Sequence, residues 1–146
     1  MNNASGKTLK CFITSLREEI YSGDIQELVA TGVSGELGIL PGHAPLLTEL
    51  APGPIQLRKA DGEEVFYIKG GFLEIQPDSI HILADDAIRE EGLSEEAADK
   101  ARKEAEQALS GKDKMAAQEY AMTRAKMLEA VGQLRTLRRI KSKYGK

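Results

Sequence analysis

Apolar and polar positions alternate with a period of two over the first half of the chain and recur every three to four residues over the last third. The first pattern predicts strands, the second helices. Lys10-Cys11-Phe12-Ile13-Thr14 is a short apolar, β-branched run. Ile20 to Asp24 reads as a second piece ended by a turn at Ser22-Gly23-Asp24, and Ile25 to Thr31 as a third. Leu46 to Leu50 runs into the break Pro52-Gly53-Pro54, after which Ile55 and Leu57 alternate with Gln56 and Arg58. Asp61-Gly62 predicts a hairpin turn into Val65 to Ile68, and Gly70-Gly71 closes that strand. Phe72, Leu73 and Ile75 lead to Pro77-Asp78, and Ile80-His81-Ile82 places His81 on the solvent side. Many short strands at regular spacing predict a sandwich or barrel, not a parallel sheet with crossover helices.

From Asp85 onward the pattern changes. No proline follows Ser94, and alanine, glutamate, lysine and arginine dominate. Ser94 is a good N-cap, with Glu95 and Glu96 at the positive end of the helix dipole. Ala97, Ala101, Ala105 and Ala108 share one helical face, and Ser110-Gly111-Lys112-Asp113 stops the helix. A second helix is expected from about Lys114 to about Ser142, striped by Ala117, Ala121, Ala125, Leu128 and Gly132 and widened by Met127, Val131 and Leu134. Facing alanine stripes predict an antiparallel hairpin. Because a buried methyl contributes about 0.8 kcal/mol against about 1.5–3 for a large side chain, weak docking on the strands is expected. The predicted organisation is a β-domain over residues 1–88 and a helical hairpin over 89–146. The second helix, at about 1.5 Å per residue, would reach roughly 40 Å if it swung out.

Between the third strand and Leu46 lies the segment from Gly32 to Pro45, with four glycines and two prolines in fourteen residues. That density excludes a helix, while Leu37, Ile39 and Leu40 are too apolar for an idle linker. It reads as a short strand between tight turns, displaying Glu36 and His43. The segment is not a phosphate cradle. No lysine follows its glycines as G-x-x-x-x-G-K-[ST] requires, and their positions do not fit G-x-G-x-x-G.

The 146 residues include no tryptophan, and no apolar run approaches the roughly 20 residues that span a bilayer. Residues 1–7 are polar and small, so no secretory signal is expected. Cys11 is the single cysteine, which excludes a disulfide within the chain and reads as a buried structural thiol. With two histidines far apart, neither a zinc site nor a cysteine–histidine pair is indicated. Asp85-Asp86 reads as a turn.

The net charge of −3 conceals an asymmetry: residues 1–84 carry −5, residues 85–113 carry −5 and residues 114–146 carry +7. Arg135, Arg138, Arg139, Lys141, Lys143 and Lys146 fall in the last twelve positions. The three arginines share a face at i, i+3 and i+4. Helix-dipole preference accounts for two or three of these cations, not six. The remainder points to an acidic protein surface or, as the alternative, a nucleic-acid-binding module, although stacking aromatics are nearly absent.

The order of parts resembles the epsilon subunits of bacterial F-type ATP synthases. The residues that carry the resemblance are Tyr21-Ser22-Gly23, the run from Gly35-Glu36-Leu37-Gly38-Ile39-Leu40-Pro41-Gly42-His43 to Thr48, Pro52-Gly53, the run from Gly70 to Pro77, and Leu83-Ala84-Asp85. The resemblance implies a β-sandwich of about ten strands followed by a C-terminal α-helical hairpin, in a non-catalytic rotor-stalk subunit without a cofactor or metal of its own. It implies binding of the gamma subunit by one sandwich face and contact of Glu36, with His43 close by, to the c-subunit ring. It further implies that the hairpin can extend so that Arg135, Arg138, Arg139 and Lys141 meet acidic surfaces of the beta (and alpha) subunits and inhibit ATP hydrolysis. No nucleic acid is implied as a partner, and the membrane only through the c ring, at the cytoplasmic face of the bacterial inner membrane. One departure stands out. Where some relatives bind ATP through Leu/Ile-Asp-x-x-Arg-Ala, this chain has Leu93-Ser94-Glu95-Glu96-Ala97-Ala98, without the carboxylate or the guanidinium.

Overall fold

The computed structural model describes residues 7–111 and 116–144. Ten strands precede two helices: β1 Leu9–Thr14, β2 Glu19–Ile25, β3 Glu27–Gly32, β4 Gly35–Ile39, β5 Leu46–Leu50, β6 Gly53–Lys59, β7 Gly62–Ile68, β8 Gly71–Gln76, β9 Ser79–Ala84 and β10 Ala87–Arg89, then α1 Glu95–Leu109 and α2 Ala117–Tyr144. The strands hydrogen-bond in the order β10-β7-β6-β3-β5-β8-β9-β1-β2, with β4 also on β3. The pairs are antiparallel except β1–β9. Between β3 and β5 the ladder narrows to the pair Gly32–Leu50. There the sheet folds over, so that the two halves face each other across one core, the arrangement of a β-sandwich.

Alternation decides what enters that core. Leu9, Cys11 and Ile13 of β1, Leu73 and Ile75 of β8, and Ile80 and Ile82 of β9 point inward with Leu28, Ile39, Ile55, Leu57, Phe66 and Ile68 from the other half. Expected strand positions are observed with one shift. Ser22-Gly23-Asp24 does not end the second strand: it lies inside β2, paired with Phe12, Cys11 and Lys10 of β1. Cross-strand bonding overrides the turn preference of these residues. The Asp61-Gly62 hairpin forms as expected, Gly62 pairing with Lys59 at φ +139°, a conformation that favours glycine.

One stretch breaks the alternation. Val65-Phe66-Tyr67-Ile68 are all buried, although only Phe66 and Ile68 join the sandwich core. Strands buried on both faces read as continuous apolar runs, and here α2 covers the outer face of β6 and β7. The Tyr67 hydroxyl is buried beneath α2. Burial pushes its phenol well above the usual tyrosine range, with a small opposing effect from the nearby Gln133 amide.

The last strand, β10, pairs Ala87, Ile88 and Arg89 with β7. Arg89 straps this end down: it donates to the Ile20 carbonyl, reaches Glu64 at 3.4 Å and lies over the Phe66 ring. Asp85-Asp86 forms a turn, as expected, with the Asp86 carboxylate accepting from the Ala87 amide at 2.9 Å. A 3-10 turn at Glu90–Gly92 leads to α1, whose N-cap Ser94 accepts from the Ala97 amide at 3.1 Å.

The helices form the expected antiparallel hairpin with a different seam. On α1 the buried residues are Ala98 and Ala105, whereas Ala97, Ala101 and Ala108 are exposed. On α2 the stripe Ala117, Ala121, Ala125 and Leu128 is exposed, and Ala130, Gly132, Thr136 and Ile140 are buried. Alanine recurs on more than one face of each helix, so spacing alone does not determine which face packs. Gly132 shows why the docked face is where it is. A Cβ at this position would stand 2.9 Å from the Pro52 carbonyl carbon and oxygen, so the helix backbone lies directly on the sandwich. Lys112 and Asp113 of the expected helix stop, and the start at Lys114, lie outside the described residues.

Candidate partner-binding surfaces

The glycine-rich segment forms a β-hairpin at the edge of the sandwich. Chain reversal at Val33-Ser34 pairs Gly32 with Gly35 and Thr31 with Glu36. Gly35 takes φ +135°, which a side chain rarely permits. Alternation along β4 sends Ile39 into the core and Glu36 outward, 58% exposed. His43 follows the Pro41-Gly42 turn, with its Nδ1–H directed to the Ala44 carbonyl at 2.7 Å. That bond holds the ring against its own backbone. No hydrogen bond or ion pair joins Glu36 to His43 among the described residues. They share the segment, not a contact.

Glu36 instead meets α2. Arg139 Nη2 donates to Glu36 Oε2 at 2.6 Å, and Arg139 Nη1 donates to Gln56 Oε1 at 2.8 Å. Gln56 Nε2 donates onward to Glu63 at 2.7 Å. This carries the ties of α2 into a network on β6 and β7, where Arg58 bridges Glu63 and Glu27. The pairing spans 103 positions of sequence, beyond any local pattern.

The four basic candidates therefore part company. Arg139 faces the sandwich, while Lys141 donates to Glu95 of α1 at 2.9 Å and ties the two ends of the hairpin. Arg135 and Arg138 are exposed, and neither has an ion-pair partner among the described residues. Both line a cleft of about 410 Å³ between the helices, with Glu95, Asp99, Arg102 and Lys141. Within it Asp99 is held below the usual carboxylate range by hydrogen bonds from Arg102 and Lys103. The Ser94 hydroxyl beside this cleft is engaged as the α1 cap. The side chain of Lys143 and all of Lys146 lie outside the described residues.

The residues of a third surface were not named from the sequence. On the outer face of β1, β5, β8 and β9 sit Phe12, Leu47, Phe72, His81 and Leu83 around a shallow groove of about 570 Å³. Leu47 is 69% exposed, and Phe72 and Leu83 are each 52% exposed. Register builds the patch: Phe12 pairs with His81, His81 with Glu74, Glu74 with Leu47, and Phe72 with Leu83. The Phe12 and His81 rings meet edge to face at 4.8 Å. His81 is on the outer face as expected, but in an apolar setting. The available signal was Phe72 and Leu83, which occupy outward positions where alternation predicts polar side chains.

Catalytic chemistry finds little here. Burial pushes the Cys11 thiol up to about 12, so it stays protonated near neutral pH. Among the described residues no cluster of histidine, cysteine and carboxylates could hold a metal ion. No described helix is long and apolar enough to cross a membrane.

The chain is thus a ten-stranded β-sandwich with a docked helical hairpin, an exposed glycine-rich sheet edge and an outward apolar patch. Residues 8–90 match the family described as ATP synthase, Delta/Epsilon chain, beta-sandwich domain. The ATP synthase epsilon chain of Chromohalobacter salexigens is 49% identical over 137 residues, covering 93% of this chain and 96% of that one. That of Acinetobacter baylyi is 47% identical over 93% of this chain and 97% of its own length. The chain belongs to the ATP synthase epsilon chain family. In fold it is similar to a chain of the Euglena gracilis mitochondrial ATP synthase OSCP/F1/c-ring structure, with a TM-score of 0.71 and 20% identity over 92% of this chain and 80% of that one. It is also similar to one from the central stalk and c-ring of the Tetrahymena thermophila mitochondrial enzyme, with a TM-score of 0.55 and 17% identity over 90% of this chain and 95% of that one.

Proposed function

We propose that this chain is a rotor-stalk subunit of a proton-translocating ATP synthase, coupling the c ring to gamma and inhibiting ATP hydrolysis through α1 and α2. Its contribution is mechanical and regulatory, not catalytic, and it is peripheral at the cytoplasmic face of the inner membrane, held there through the c ring. The observation that carries the reading is the outward apolar patch of Phe12, Leu47, Phe72 and Leu83. Contiguous exposed apolar surface marks a docking site, and large side chains at its centre carry most of the affinity. We assign this face to gamma. The β3–β4 edge with Glu36 and His43 is assigned to the c ring, and the exposed Arg135 and Arg138 to acidic surfaces of the beta (and alpha) subunits when the hairpin extends. Nucleic-acid binding through the basic helix loses support because Arg139 and Lys141 are already paired with carboxylates of the chain itself.

The test is Phe72→Asp. Half exposed and outside the core, this position tolerates a charge without unfolding. Binding to purified gamma should weaken at least about tenfold, about 1.4 kcal/mol, with β-type circular dichroism unchanged. Undiminished affinity would assign gamma to another face.

A further inference from the structure

Seen from the sandwich, α2 is held by packing and by few polar ties. Gly132 lies on the Pro52–Gly53 backbone, and Tyr67 is buried beneath the helix. The buried Thr136 hydroxyl donates to the Gly132 carbonyl of its own helix at 2.8 Å, so it ties α2 to nothing else. Lys69 and Glu129 approach only to 3.7 Å, both partly exposed. Arg139 is different. Its two Nη atoms reach two acceptors on two strands, Glu36 of β4 and Gln56 of β6, and its side chain is 29% exposed. Charge-assisted bonds to a planar guanidinium are geometrically selective, and a lysine could not hold both acceptors in this arrangement.

We propose that Arg139, with Glu36 and Gln56, is a latch that holds the helical arm on the sandwich, so that it acts on ATP hydrolysis with the sign opposite to Arg135 and Arg138. The inference rests on the reading that the extended arm inhibits hydrolysis. It departs from the expectation that all four cations serve one contact. Among the described residues Arg135 and Arg138 have no ion-pair partner in the docked arm, so none of these contacts is lost when it leaves. Arg139 must give up a carboxylate and an amide. A ligand bound only by one of two states shifts the balance toward that state, and an internal contact made only in the docked state does the same. Glu36 thereby gains a second role: a donor that engages this carboxylate from outside competes with Arg139 and favours release of the arm.

Two measurements decide the matter. In the isolated full-length chain, amide hydrogen exchange over α2 residues 129–142 reports docking without any other subunit. Arg139→Gln and Glu36→Gln should each speed exchange there by about two- to fivefold, the range of a partly exposed ion pair. The double variant should be no faster than the faster single one, with exchange in β8 and β9 unchanged. Unchanged exchange in both single variants, or fully multiplicative effects in the double, overturns the latch. In the assembled synthase, with subunit content verified, Arg139→Gln should lower ATP hydrolysis while Arg135→Ala/Arg138→Ala raises it. A rise with Arg139→Gln returns Arg139 to the head contact and overturns the opposite sign. If the exchange result holds but neither variant alters hydrolysis, the latch stands as a structural contact, and the inhibitory role of the arm fails along with the regulation inferred from it.

Discussion

The sandwich and the hairpin are built from different materials. The sandwich core is isoleucine, leucine and phenylalanine drawn from both halves of one sheet, most of them with no solvent exposure. Among its described residues the hairpin buries Ala98, Ala105, Ala130, Thr136 and Ile140, a single large apolar residue among them. Burial of a large side chain contributes about 1.5–3 kcal/mol, and of a methyl about 0.8, so the first region is expected to fold on its own contacts. The second depends on what it rests on. The proposed role, in which part of the subunit moves while the rest stays anchored, calls for this division: cohesion in one region, a dissociable seam between them.

The sharpest way to break the comparison is to cut into each region in turn. Ile75→Ala, at a fully buried position of β8, should cost about 2–5 kcal/mol, read as a lower denaturation midpoint of the whole sandwich. Loss confined to the helices would contradict the assignment of cohesion to the core.

Gly132→Ala should act on the other region alone. Alanine favours an isolated helix by about 1 kcal/mol, but its methyl would press on the Pro52 carbonyl from 2.9 Å. Overpacking costs about 1–3 kcal/mol, and the rigid backbone on the opposite side leaves little room to yield. Docking should lose: helicity stays or rises, α2 amides exchange faster and the sandwich midpoint barely moves. A more protected α2 would show that the seam tolerates a methyl and that the close approach is incidental.

A third effect is read through pH. Folding raises the Cys11 thiol from 9.0 to about 12 through burial. Above pH 9 the unfolded chain releases this proton and the folded chain keeps it, so the unfolded state binds fewer protons and stability falls as pH rises. The slope approaches about 1.4 kcal/mol per pH unit between these two values and is absent below them. Cys11→Ala should flatten that part of the pH dependence, measured by urea unfolding. An unchanged slope would mean that the thiol reaches solvent in the folded chain.

Much of the molecule was legible in advance because the signals are local. Alternation located the strands, glycine and proline marked the reversals, and Ser94 with two following glutamates marked the start of α1. The order of parts from Gly35 to His43 and from Gly70 to Pro77 carried the family resemblance. What escaped was non-local. Ser22-Gly23-Asp24 looks like a turn until β1 lies beside it. The alanines of both helices fit several faces until Pro52–Gly53 selects the one with Gly132. Four consecutive buried residues at Val65–Ile68 were visible as an apolar run, yet the cover on their outer side belongs to α2, which begins at Ala117.

By itself the sequence determined which segments are strands and which are helices, and that the basic charge gathers at one end. Backbone periodicity, capping and turn chemistry act over a few residues, so a linear reading recovers them. Only the tertiary structure decided which outward residues form a surface and which cations are available. Phe12, Leu47, Phe72 and Leu83 become a patch through strand register, and Arg139 separates from Arg135 and Arg138 because it meets Glu36 across 103 positions. A side chain's partners depend on distance in space, and here the chain brings together residues that no short window of sequence contains.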